Sequence, residues 1–193
     1  MIAAQKLFEK EGYTNTSVEA IIKEAGIAKG TFYYYFKAKQ DILGAIVENT
    51  VVQVKEYFTS IVNNQNLSSI DKLKEIFVGS KKQEKINPSV MEIVHLPENR
   101  ELQEELNIQT IKIIAPLITK VFEQGFKEGI FKVKISVESI QLILAGSQFL
   151  LDSGLFEWST QKRKVFLQEI QKILEQITGA KAGTLSFIVS HSK

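Results

Sequence analysis

The sequence predicts an all-α protein in which a small N-terminal three-helix unit precedes a larger helical body. Apolar residues recur at helical spacing along nearly all of the 193 residues, and the chain has only three prolines to interrupt them. Residues 16–43, TSVEAIIKEAGIAKGTFYYYFKAKQDIL, read as two short helices about a tight turn followed by the start of a third. With 44% hydrophobic content the chain can bury one large core or two modest ones.

The elements follow in order. Met1 leads straight into an amphipathic helix. Thr16 and Glu19 have the spacing of a capping box, in which the hydroxyl caps the next helix and the carboxylate reaches back to an exposed amide. Val18, Ile21, Ile22 and Ala25 form its apolar stripe. Gly26 ends it where positive φ is cheap, and Ile27 is expected as a buried plug. From Ala28 a second helix places Lys29, Gly30 and Thr31 on its first turn, where free amides and the helix dipole favour a negative partner such as DNA phosphate. Phe32 and Phe36, four apart, face inward, while Tyr33 is packed on one side with its hydroxyl open to water.

Charge is placed rather than accumulated. Lysines and carboxylates are equal in number over residues 1–60, yet residues 25–40 carry Lys29, Lys37 and Lys39 with no acid. A tyrosine run is equally what a helical core or an interface requires; the lysines tilt the reading towards nucleic acid. Lys29 can reach guanine acceptors, Gly30 lets the backbone approach the duplex, and Thr31 offers both a hydroxyl and a methyl. Tyrosine hydroxyls and Lys39 are phosphate donors that fix register.

The ordered set Thr16-Ser17, Ala25-Gly26-Ile27, Gly30-Thr31-Phe32-Tyr33-Tyr34-Tyr35-Phe36 and Lys39, with Ala3 to Tyr13 upstream, resembles the N-terminal domain of the tetracycline-repressor (TetR) family of bacterial transcription regulators. The resemblance implies an N-terminal helix-turn-helix DNA-binding domain over residues 1–45, a helical effector-binding and dimerisation domain over 46–178, and a tail over 179–193. It implies Lys29, Gly30 and Thr31 against base edges, with Ser17, Tyr34, Tyr35 and Lys39 on phosphates. Thr16, Tyr33 and Lys37 complete the expected DNA-binding set. Family members usually carry further residues ahead of the first helix. A chain starting at Met1-Ile2 is therefore expected to have a shortened first helix: either the start is misassigned, the chain was trimmed, or phosphate contacts and packing at that end are lost, and only the last case predicts weaker DNA affinity.

In the body, a long helix is expected from Lys39 to Val62, then one capped by Ser68 or Ser69, and a short one over residues 87–95 closed by Pro97. Another runs from Asn99 to Glu128 with a kink at Pro116, and two more are capped by Ser136 and Thr160. These last two carry apolar residues on more than one face around the small triplet Ala145-Gly146-Ser147, so they have either two partners or one deep burial. The resemblance implies that they pair with their symmetry mates in a homodimer, through Ala145, Gly146, Phe149, Phe166, Ile170 and Ile173. It also implies an effector pocket, for which Phe77, Met91, His95, Ile114, Leu117, Phe122, Phe126, Phe149 and Trp158 are candidates. Each is equally ordinary core material. An apolar lining would favour a hydrophobic or amphipathic effector.

The function implied is a ligand-responsive regulator, a repressor rather than an activator on family grounds, that binds palindromic operator DNA as a dimer. Effector binding would shift the population so that the long fourth helix moves the two reading helices off their half-site spacing. A helical ligand or lipid carrier with a degenerate DNA-binding domain is the alternative. No cysteine, no Ser-His-Asp order, no paired histidines at metal-ligand spacing and no glycine-rich phosphate loop is present, so neither an enzyme nor a bound cofactor or metal is expected. The absence of a secretory signal, and of any apolar run near the roughly 18 residues of a membrane span, predicts a cytoplasmic protein without a membrane partner.

Overall fold

The computed structural model describes residues 1–79, 93–94, 96, 99–152 and 154–190, and among them every regular element is a helix. These are α1 (Ile2–Glu11), α2 (Val18–Ala25), α3 (Lys29–Tyr35), α4 (Lys39–Asn63), α5 (Ser69–Val78), α6 (Arg100–Lys127), α7 (Val137–Leu150), α8 (Thr160–Thr178) and α9 (Phe187–Ser190). The helix expected over residues 87–95 lies outside the described residues except for Ile93 and Val94.

The chain forms two compact units, Met1–Gln53 with Lys85–Leu106, and Val54–Glu84 with Asn107–Lys193. The division differs from the expected 45/46 boundary and detached tail because burial decides it. Ile46, Val47, Ile93 and Val94 join the first core, whereas Leu185, Phe187 and Ile188 join the second.

In the N-terminal unit α1 buries Ala4, Leu7 and Phe8, and Tyr13 packs edge-on against Phe8 at 5.1 Å. The cap of α2 is Ser17 rather than Thr16. Its Oγ accepts a hydrogen bond from the Ala20 amide at 3.1 Å, while Thr16 turns inward and donates to the Gly12 carbonyl at 2.8 Å. Gly26 adopts φ 65°, and the Ile27 amide reaches back to the Ile22 carbonyl, so orphan carbonyls of α2 are satisfied without a side chain. Ile27 itself is exposed, not a plug; the buried residues of α2 and α3 are Ile21 and Phe32. The Asp41 carboxylate accepts from the Lys37 and Ala38 amides at 2.6 and 3.2 Å and so caps α4.

The body gathers Phe58, Leu73, Ile76, Ile118, Phe122, Ile140, Leu174 and Ile188 into one core. Helix α6 runs unbroken across Pro116, which faces solvent. Phe131 is packed so closely on Gly125 that a Cβ there would lie 2.3 Å from its ring. Ser136 caps α7 as expected; Ser159 caps α8 and Thr160 is its first helical residue. Buried Lys72 donates to the Val62 carbonyl and to Gln124 Oε1 at 2.6 and 2.7 Å, tying the end of α4 to α5 and α6.

Candidate functional site

Helix α3 is held by Phe32, which is 2% exposed and has Phe36 one turn on. That anchor leaves the opposite side open. Tyr34 and Tyr35 are 81% and 70% exposed, with rings edge-to-face at 4.9 Å, so their hydroxyls project into solvent. Lys29, Gly30, Thr31 and Lys37 are exposed as well. Lys29 Nζ stands 5.9 Å from the Tyr33 ring, and a Cβ on Gly30 would meet nothing within 4 Å, so the backbone here is bare. Tyr33 is 45% exposed and leans edge-on against Phe32, the half-packed position expected of it. Ser17 keeps its hydroxyl proton after accepting the Ala20 amide, and it lies exposed at the start of α2.

Two residues expected to touch DNA turn inward. Thr16 is 2% exposed and its hydroxyl proton goes to Gly12. Lys39 donates to the carbonyls of Tyr13, Thr14 and Thr16 at 2.5, 3.4 and 2.9 Å and sits 4.2 Å over the Tyr13 ring. The loop between α1 and α2 ends with its carbonyls converging, and an ammonium with three donors is the group that satisfies them. Asp41 was missed. It fixes the backbone at Lys37, and its place near the start of α4 was the available signal. An exposed ion pair of 2.5 Å between Lys6 and Glu24 links α1 to α2; their hydrogen bond raises the lysine's pKa and lowers the glutamate's.

The body holds a cavity of about 210 Å³ lined by Phe77 of α5, Ile118 of α6, Ile140, Ile143, Leu144 and Ser147 of α7 with Leu151 at its end, Leu167, Ile170 and Leu174 of α8, and Ile188 of α9. Among the described residues Ser147 is the one polar side chain in that lining, and its hydroxyl donates to the Ile143 carbonyl at 2.6 Å. Of the expected lining, Phe77 alone among the described residues takes part. Ile114 and Phe122 are core, Leu117 packs beside them, and Phe126 lies under Lys134 at 5.3 Å. Phe149 and Trp158 join Phe156 and Phe166 in an aromatic cluster, where Trp158 Nε1 donates to the Leu150 carbonyl at 2.8 Å. Met91 and His95 lie outside the described residues. The reason is one of filling: flat rings close space, as Phe122 and Phe131 do at 4.9 Å, and the void survives where branched aliphatic side chains meet.

A second, open groove of about 280 Å³ runs between α7 and α8, lined by Leu142, Gly146, Leu150, Phe166, Glu169, Ile170 and Ile173 among others. Gly146, Phe166, Ile170 and Ile173 are residues expected at a dimer contact, and Ala145 and Phe149 are exposed. Among the described residues no group of three or more metal-ligating side chains occurs, and no helix is long and apolar enough to cross a membrane.

Residues 1–46 match the family model described as bacterial regulatory proteins, tetR family, and residues 82–173 match that of the tetracyclin repressor-like C-terminal domain. An uncharacterized HTH-type transcriptional regulator in the lacX 3' region of Lactococcus lactis subsp. lactis is 33% identical over 76 residues, 39% of each chain; the match thus spans about two-fifths of that relative's length. The fatty acid metabolism regulator protein of Bacillus subtilis (strain 168) is 25% identical over 171 residues, 84% of this chain and 82% of that one. Among solved structures, Salmonella enterica GusR aligns with a TM-score of 0.60 at 16% identity over 93% of both chains. A TetR/AcrR family regulator from Thermobifida fusca aligns with 0.56 at 22% identity, covering 92% of this chain and 91% of the other. At such identities the structural likeness is one of fold. With its reading helices and its helical body each matched, the chain belongs to the tetR family of bacterial transcriptional regulators and is not an enzyme.

Proposed function

We propose that the protein is a cytoplasmic repressor that binds a palindromic operator as a homodimer and is released by a hydrophobic or amphipathic small molecule. The observation that carries this reading is the bare face of α3. Lys29, Gly30 and Thr31 stand where base edges can be read, and Tyr34, Tyr35 and Lys37, with Ser17 on α2, offer donors to phosphate on either side. Lys39 and Thr16 act behind this face by fixing the loop that supports it.

The effector site is the cavity in the body, whose lining offers hydrocarbon and no charge. The name of the B. subtilis relative, a regulator of fatty acid metabolism, supports an aliphatic effector class. Dimerisation occupies the α7–α8 groove, and half-sites repeat at roughly 34 Å, one helical turn. An effector acts by its differential affinity for two states of the dimer, and only to that extent.

The test is binding of the purified protein to the promoter DNA upstream of its own gene, at low and physiological salt, beside a scrambled duplex of equal length. Selective binding that falls steeply with salt is expected. Equal affinity for both duplexes would defeat the operator reading and favour the carrier alternative.

A further inference from the structure

We infer that the C-terminal segment 183–190 is a movable wall of the body's cavity, with Ile188 setting the length of the aliphatic ligand admitted and Glu175 anchoring the segment; this rests on reading the cavity as the effector site. Four of the contributing elements, α5 to α8, are helices of ten residues or more. The fifth, α9, has four residues, too few to hold itself together, so its place depends on what it touches.

Two sets of contacts fix it. Leu185, Phe187 and Ile188 are buried, with α9 packed on α5 and α8, and Ile188 reaches the cavity. Glu175, on α8 and 7% exposed, supplies the rest. One carboxylate oxygen accepts the Leu185 amide at 2.8 Å and Gln171 Nε2 at 3.0 Å, and the other accepts the Gly183 amide at 3.1 Å. A carboxylate is costly to bury unless its lone pairs are used, and here two of its three donors are backbone amides of the segment itself. Gly183, at φ 86°, makes the turn that aims both amides at one side chain. The carboxylate therefore holds the segment by its backbone and leaves Ile188 as its contribution to the cavity wall.

The ligand chemistry follows from the lining. Ser147 has its proton committed to Ile143 and keeps only an acceptor oxygen, and the rest of the described lining is apolar, so the part of a ligand that enters is uncharged and mainly hydrocarbon. Each methylene that enters adds about fourfold in affinity until the chain meets a wall.

The experiment uses the full chain and the neutral fluorescent probe N-phenyl-1-naphthylamine, displaced by straight-chain 1-alkanols of increasing length. Wild type is expected to gain about fourfold per methylene up to a break. Ile188→Val, a mild truncation that preserves the fold, moves the break to longer alcohols, and Ile188→Phe moves it to shorter ones. Glu175→Gln replaces one acceptor oxygen by a donor; it raises alcohol dissociation constants about tenfold at every length and speeds proteolysis after Lys181. A break at one length in wild type and both Ile188 variants overturns the inference; if Leu167→Phe on α8 still shifts it, the cavity reading stands and only the wall is lost. Failure of wild type to bind the probe or any alcohol overturns both. Unaltered constants in Glu175→Gln remove the anchor.

Discussion

The two units distribute charge in opposite senses. Among the described residues of the N-terminal unit the fully buried polar side chains are neutral, Thr16, Thr50 and Asn99, while Lys29, Lys37, Tyr34 and Tyr35 stand in water. In the body Lys72 and Glu175 are buried, while Leu142, Phe149, Ile173 and Ile177 are 75%, 57%, 43% and 38% exposed. Ammonium and hydroxyl groups are well hydrated, so the first surface is stable alone and gives up little when its partner leaves. Exposed hydrocarbon gains about 25 cal/mol per Å² on being covered, so the second surface favours a standing partner. In the proposed function the contrast separates a reversible, salt-sensitive contact from a constitutive one.

The largest effect should come from charging the apolar face. In a two-fold dimer Leu142→Lys with Ile173→Lys places four ammonium groups in one contact, and a loss of at least about 3 kcal/mol, over a hundredfold in dimer dissociation, is expected. Analytical ultracentrifugation should show a monomer of unchanged helicity. Gly146→Leu probes the same face more gently, since a Cβ there meets nothing within 4 Å in the chain itself, so any change in sedimentation reports the second copy. Dimers surviving in both variants would mean that this face is not the contact.

Next in size is Gly125→Ala. The added carbon would lie 2.3 Å from the Phe131 ring and 2.8 Å from Ser69 Oγ, and overpacking of that kind costs about 2–3 kcal/mol. Because the N-terminal unit has its own core, amide exchange should quicken in the body and stay slow in α1 to α3. Uniform quickening would refute the independence of the two cores.

Within the N-terminal unit two lysines near the α3–α4 turn should behave differently. Lys39→Met strips the donor from the Tyr13, Thr14 and Thr16 carbonyls, and about 2 kcal/mol of stability should go with it. Lys37→Ala should leave the melting temperature alone and lower the salt slope of DNA binding by about one. If Lys39→Met flattened the slope and spared the melting temperature, the inward placement of Lys39 would be wrong.

The exposed face of α3 was legible in the sequence because it is local. Lys29 to Lys37 lie on one short helix and its exit, where spacing alone assigns faces, and Phe32 and Phe36 fell inward as the four-residue interval requires. Lys39 misled because its environment is made by carbonyls more than twenty residues away. The cavity was less legible still. Its lining runs from Phe77 to Ile188, and whether an isoleucine borders a void or fills one depends on partners that no helical period specifies. The tail escaped for a related reason, since Glu175 recognises backbone amides and leaves no residue pattern to find.

The smallest effect concerns acid. Burial pushes the Glu128 carboxyl up, but bonds donated by Ser69 Oγ, Gln124 Nε2 and the Ser69 amide outweigh it, with Lys72 adding to them, so its pKa is lowered. A carboxylate lowered by folding adds stability that is complete above the ordinary glutamate range and is lost as pH falls through its folded pKa. Melting curves of Glu128→Gln should thus fall less steeply on acidification than those of wild type, by under about 1 kcal/mol because the group is largely in solvent. Glu24 is lowered too, by Lys6, but that pair is wholly solvated, and Lys6→Ala should leave the acid limb as it was. Should Lys6→Ala flatten the limb and Glu128→Gln not, the exposed pair rather than the cap on α5 would govern acid stability.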